Sequence, residues 1–136
     1  VVAEAGAPDR KEGRVLIIDQ DLSQVGELEA RIKQSGFEVA IASTAAQGIS
    51  LALEAPPDII LLDFATSHAD GHAAVRAVGR DKALLATSLF ILAGQAVLER
   101  VDRAAIQTAN FVAKPVQYGP LLDLLKRTVR QKKNGS

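Results

Sequence analysis

The sequence predicts an α/β domain, an open doubly wound sheet of five parallel strands with helices on both faces. Three observations carry this expectation. Short apolar runs recur five times, at VLII (15–18), VAIA (39–42), IILL (59–62), LFIL (89–92) and FVA (111–113). Stretches with apolar residues three and four apart separate them, the spacing of helices that bury one face. The first, third and fourth runs are apolar at every position rather than alternately, as in strands covered on both sides.

Each helix has its own signals. Val25, Leu28 and Ile32 share a face, and Gly36 is expected to close that helix as a left-handed cap. Thr44 and Gln47 have capping-box spacing, with Ile49 and Leu53 expected on the inner face. Pro56 and Pro57 end the second helix because neither donates a backbone hydrogen bond. Asp70-Gly71 is expected to start a third helix carrying Val75 and Val78, and Val97 and Val101 mark a fourth. After Pro115, Leu121, Leu122, Leu125 and Val129 define a fifth. Residues 1–13 have no period and read as a flexible leader, 14–130 as the domain, and 131–136 as a flexible tail whose basic residues suit a solvated helix end.

Composition excludes several classes of function. The 136 residues suffice for one core. Sixteen basic residues balance sixteen acidic ones, so no overall field attracts nucleic acid or an anionic membrane. The absence of Cys removes disulfides, thiolate metal sites and thiol catalysis. No apolar run reaches the roughly 18 residues of a membrane span, and a cytoplasmic location is the default expectation. The chain opens on Val and contains no Met, from which a piece of a longer protein is expected.

In a sheet of this kind ligands sit beyond the carboxyl ends of the strands. The first strand ends on Asp19-Gln20-Asp21, the third on Asp63, and the fifth on Lys114-Pro115. Carboxylates gather a hard divalent cation, and a lysine pairs with an anion such as a phosphoryl group. A carboxylate can also attack phosphorus. Any one such Asp more often merely caps the next turn. Three polar strand ends in this order argue for a site.

These residues, with DIILLD (58–63), DFATSHADG (63–71) and AKP (113–115), make the chain resemble a receiver domain of the response-regulator family. The resemblance covers residues 14 to about 130. It implies the flavodoxin-like strand order 2-1-3-4-5 and a role in two-component signalling or a phosphorelay rather than as an enzyme. It also implies a phosphoacceptor at Asp63, with Lys114 pairing to the phosphoryl group. Mg2+ would be held at Asp63, at the positions of Asp19 and Gln20, and by the carbonyl of Ala65. The switch positions are Ala93, where the family has Thr or Ser, and Phe111, an aromatic three residues before the lysine.

The chain departs from the family at two functional positions. Gln20 replaces an acid, so metal binding is expected to be weak or absent. Ala93 has no hydroxyl, and a hydrogen bond to a charged group is worth roughly 1.5–3 kcal/mol. Phe111 stands where Tyr is common, and QTANF (107–111) lacks the Gly that usually precedes that strand. His68 and His72 lack a third convergent ligand and read as exposed loop residues. The first reading is therefore a pseudo-receiver with a degraded phosphorylation switch, acting through protein contacts with a sensor kinase or a downstream protein. The alternative is a working atypical receiver phosphorylated on Asp63 with Mg2+. A flavodoxin-type flavin binder is remote, because the QDLSQ turn (20–24) is acidic and would repel phosphate. A homodimer through the fourth helix, fifth strand and fifth helix would use Arg100, Arg103, Asp123, Lys126 and Arg127.

Overall fold

All five apolar runs form strands: β1 (Gly13–Ile18), β2 (Phe37–Ala42), β3 (Ile59–Asp63), β4 (Ser88–Ala93) and β5 (Asn110–Ala113). The helices are α1 (Val25–Gln34), α2 (Ala45–Glu54), α3 (His68–Arg80), α4 (Gln95–Arg100) and α5 (Tyr118–Gly135), with a 3-10 turn at Lys82–Leu84. The computed structural model describes residues 12–23, 25–64, 68–100 and 110–135. The sheet has the order β2-β1-β3-β4-β5. Every neighbouring pair is parallel.

Burial explains the two types of strand pattern. The central strands are apolar throughout because their residues enter two cores alternately. Leu16, Ile18, Ile60, Leu62, Leu89 and Ile91 meet α2 and α3 on one face. Val15, Ile17, Ile59, Leu61, Phe90 and Leu92 meet α1 and α5 on the other. The outermost strands β2 and β5 keep exposed positions. Along α5, Leu121, Leu125 and Val129 face the second core.

Local chemistry sets most helix ends as expected. Gly36 has φ 99°, and its N–H donates 3.0 Å to the Lys33 carbonyl, closing α1. Thr44 Oγ1 accepts from Gln47 N at 3.1 Å, but the Gln47 side chain accepts from Ser43 N at 2.9 Å, one residue outside the usual box. The inner face of α2 is Ala45, Gly48 and Ala52, with Ile49 half-buried, whereas Leu53 is 43% exposed. Small residues win there because α2 lies close to β1. A Cβ on Gly48 would come within 2.6 Å of Ile18 Cγ1.

Two other boundaries differ from the sequence reading. Helix α3 starts at His68 rather than Asp70, so His68 and His72 lie in a helix, not a loop. Their side chains lie outside the described residues. Helix α5 continues through residues 131–135, which the sequence assigns to a tail. Tertiary bonds hold this end. Lys132 Nζ donates to the carbonyls of Asp58 (2.6 Å) and Ala86, and Arg130 pairs with Glu12 at 2.9 Å. The Asp58 carbonyl also accepts from Ser88 N at 2.9 Å, and its carboxylate accepts from Arg14 N at 2.8 Å. Burial pushes the Lys132 ammonium below its ordinary range, a shift that the Asp58 charge partly opposes. No sequence periodicity reports bonds of this kind.

Replacing Gly48 by Val is expected to destabilise the domain by about 1–3 kcal/mol through overpacking against Ile18. Urea unfolding measures the loss, and an unchanged midpoint would show that α2 can move away from β1.

Candidate functional site

Three of the sequence-predicted residues meet at the carboxyl ends of the strands. Asp63 closes β3, and its side chain is 7% exposed. Asp19 follows β1 directly, tied in by its N–H to the Ala42 carbonyl at 3.0 Å, and it is buried. Lys114 follows β5, and its N–H donates 2.9 Å to the Ala93 carbonyl, extending the β4–β5 ladder by one bond. The Lys114–Pro115 peptide is cis. Lys114 Nζ forms an ion pair with Asp63 Oδ2.

The charges do not balance at this strand end. Asp19 and Asp63 are within hydrogen-bonding reach of each other, with one lysine beside them. Burial pushes the Asp19 carboxyl above its ordinary value. The Asp21 N–H, which donates to it at 2.9 Å, and the Lys114 charge pull it down, while the charge and hydrogen bond of Asp63 push it up. An ionised pair this close favours a proton or a cation between its members.

Gln20 and Asp21 take different roles. Gln20 is exposed beyond Asp19. Asp21 turns its carboxylate to the backbone N–H of Ser23 at 3.1 Å, so it shapes the turn into α1. Ala65 lies outside the described residues, as do Val101, Arg103 and the side chain of Arg100. Ala93 is fully buried at the end of β4, and Phe111 packs half-buried against the same core. Of the other residues named for a homodimer face, Asp123 and Arg127 are exposed and Lys126 is half-buried.

The donor set suits a hard cation. Two carboxylates and the amide oxygen of Gln20 are all oxygen ligands. Among the described residues no three His, Cys, Asp or Glu side chains gather to hold a metal by themselves. Mg2+ keeps several waters and commonly needs only one or two carboxylates. The residues therefore fit Mg2+ held at Asp19 and Asp63, which would supply the positive charge that the pair lacks.

Sequence reasoning missed two neighbours of this site. Phe64, next to Asp63, is fully buried and donates its N–H to the Leu92 carbonyl at 3.0 Å, which locks the end of β3 against β4. Tyr118 lines the same hollow as Asp63 and Lys114, and Arg31 lies over its ring. The signal available for Tyr118 was its position four residues past the lysine, at the start of α5.

Comparison with known proteins agrees with this fold. Residues 15–126 match the family model of the response regulator receiver domain. The transcriptional regulatory protein PrrA of Mycobacterium tuberculosis is 31% identical over 122 residues, covering 88% of this chain and 51% of that protein. The chain thus spans about half the length of the curated relatives of this kind. Among solved structures, a receiver domain protein from Clostridium thermocellum superposes with TM-score 0.75 at 21% identity, covering 88% of this chain and 96% of its own. The receiver domain of the sensor histidine kinase PA1611 from Pseudomonas aeruginosa has TM-score 0.74 at 21% identity, covering 87% and 98%. That structure holds a magnesium ion coordinated in its active-site cleft. At these identities the structural likeness bears on the fold.

Because Asp19 is raised, the folded protein binds its proton more tightly than the unfolded chain. The contribution of Asp19 to stability is fully present below about pH 3.8, its ordinary value, and is lost as pH rises through the raised value. Asp19→Asn is therefore expected to be more stable than the parent at neutral pH in metal-free buffer, with the difference shrinking towards acid pH. Urea midpoints across pH measure this, and a constant offset would contradict it.

Proposed function

The chain belongs to the response regulator receiver family, and within it we propose a signalling module whose phosphorylation switch is degraded. It is a receiver domain of two-component signalling. We read its output as contact with protein partners, a sensor kinase or a downstream protein, rather than catalysis. Among the described residues no helix is long and apolar enough to cross a membrane, in keeping with a proposed cytoplasmic site of action.

The observation that carries this reading is Ala93. It is buried, its carbonyl bonds to the Lys114 N–H, and its side chain is a methyl group. A phosphoryl group on Asp63 would find Lys114 but no hydroxyl from residue 93. The missing bond, roughly 1.5–3 kcal/mol, is as large as the 1–3 kcal/mol that typically couples two sites. Gln20 supports the same reading, since it offers a cation an oxygen without charge. When bound, Mg2+ would neutralise part of the charge on Asp19 and Asp63 and on an incoming phosphoryl group. Asp63 would supply the attacking oxygen, and Lys114 would hold the phosphoryl oxygens.

A second reading, a working atypical receiver, is favoured by the Asp19, Asp63 and Lys114 cluster itself, which has the charges that acceptor chemistry needs. Intact mass after incubation with Mg2+ and an acyl phosphate separates the two. The expected result is a sub-stoichiometric adduct that is absent from Asp63→Asn. A stoichiometric adduct that vanishes in Asp63→Asn would overturn the degraded switch and establish the second reading.

Restoring the missing groups provides a complementary test. Gln20→Asp is expected to tighten Mg2+ binding, measured by calorimetry. Ala93→Thr is expected to stabilise the phosphorylated form by roughly ten- to hundredfold, from about 1.5–3 kcal/mol, read as a slower loss of the adduct. The homodimer through α4, β5 and α5 is a further proposal, and a monomer in sedimentation at high concentration would exclude it.

A further inference from the structure

The last turns of α5 are held to the amino end of the sheet by cations rather than by apolar packing. Val129 is the last buried apolar residue of the helix, and beyond it Arg130, Gln131 and Lys133 are exposed. Arg130 pairs with the Glu12 carboxylate at 2.9 Å, and Lys133 Nζ donates to the Glu12 carbonyl at 3.1 Å. Lys132 Nζ donates to the Asp58 carbonyl at 2.6 Å and to the Ala86 carbonyl. Of these three cations only Lys132 is half-buried.

Lys132 also lines an open hollow of about 570 Å3, walled by Leu85, Ala86, Ser88 and Thr128. Leu85 is 70% exposed and gives the hollow an apolar side. An ammonium carries three N–H donors. Two go to the Asp58 and Ala86 carbonyls, and tetrahedral geometry turns the third position of the nitrogen away from both. A neutral amine keeps two N–H groups, so both carbonyls still have a donor after the third proton leaves. The nitrogen then holds a lone pair while remaining fixed in place. Burial lowers the proton affinity of this amine, and the Asp58 charge partly opposes that effect. A desolvated lysine is suited to act as a nucleophile.

We infer that Lys132 is a site of N-acylation by a small acyl phosphate, which enters the hollow beside Leu85. The amine attacks the acyl carbon and a C–N bond forms. The acyl C–O bond breaks, its electron pair leaves on inorganic phosphate, and the nitrogen passes one proton to the departing phosphate. The amide product has one N–H and no charge, so it cannot donate to both carbonyls. One of the two ties that hold the helix end is lost, and the last turn of α5 loosens. The site lies at the opposite end of the sheet from Asp63 and stands under either reading of that residue.

The folded protein is incubated with acetyl phosphate without Mg2+, and acetylation is followed at each lysine by peptide fragmentation. An acetyl group on lysine and a phosphoryl group on Asp63 differ in mass and are scored separately. Lys132 is expected to react roughly three- to tenfold faster than its exposed neighbour Lys133, as a desolvated amine does beside a hydrated one. Lys33, whose side chain is 55% exposed and paired with Glu29 at 2.9 Å, should be slow as well. In urea that unfolds the chain the preference for Lys132 should vanish. In the fraction acetylated at Lys132 alone, amide exchange over residues 130–133 is expected to rise by roughly two- to fivefold, a local loosening short of global unfolding. Equal rates at Lys132 and Lys133 in the folded protein would overturn the inference. So would a preference that persists in urea, or unchanged exchange in the acetylated fraction.

Discussion

Two carboxyl groups buried beside one lysine set the terms for this end of the molecule. Asp19 and Asp63 sit at the ends of adjacent central strands, with their side chains largely buried. The Asp63 charge adds to burial in pushing the Asp19 carboxyl above its ordinary value. Lys114 supplies one positive charge through Asp63, and the remaining deficit falls on Asp19. Under the proposed reading, a divalent ion held at Asp19 and Asp63 would meet the same deficit. The ladder bond between Lys114 and Ala93 ties the lysine to β4, and the hollow beneath is lined by residues of α1 and the start of α5.

The two ends of the sheet use opposite strategies. At the carboxyl end, charges are concentrated beside a hollow. At the amino end, Asp58 and Lys132 spread their hydrogen bonds over backbone groups of β1, β4 and the turn before it, which ties the last helix down. A lysine bonded to two carbonyls in a half-buried place has little freedom.

Much of the fold could be read directly from the residues. Five apolar runs and the helical spacing between them are local patterns, and they gave the right elements because both layers must bury apolar faces. Gly36 and Thr44 behaved as expected, since caps are decided by a few neighbouring atoms. The errors are equally local in origin. Leu53 was assigned to a buried face that the close approach of α2 to β1 leaves to Ala45, Gly48 and Ala52. The last turns of α5 were given to a tail because nothing in RQKKNGS shows that Lys132 will meet the Asp58 carbonyl, 74 residues away in sequence.

The candidate site divides along the same line. By itself the sequence determined which chemical groups stand at the strand ends, and that Gln20 and Ala93 withhold a charge and a hydroxyl, because residue identity fixes functional groups before any folding. Only the tertiary structure decided that Asp19 and Asp63 come within hydrogen-bonding reach, that Lys114 pairs with Asp63, and that Tyr118 shares their hollow under Arg31 of another helix. Those relations depend on the register of strands distant in sequence and on where packing leaves space, and no local pattern encodes either.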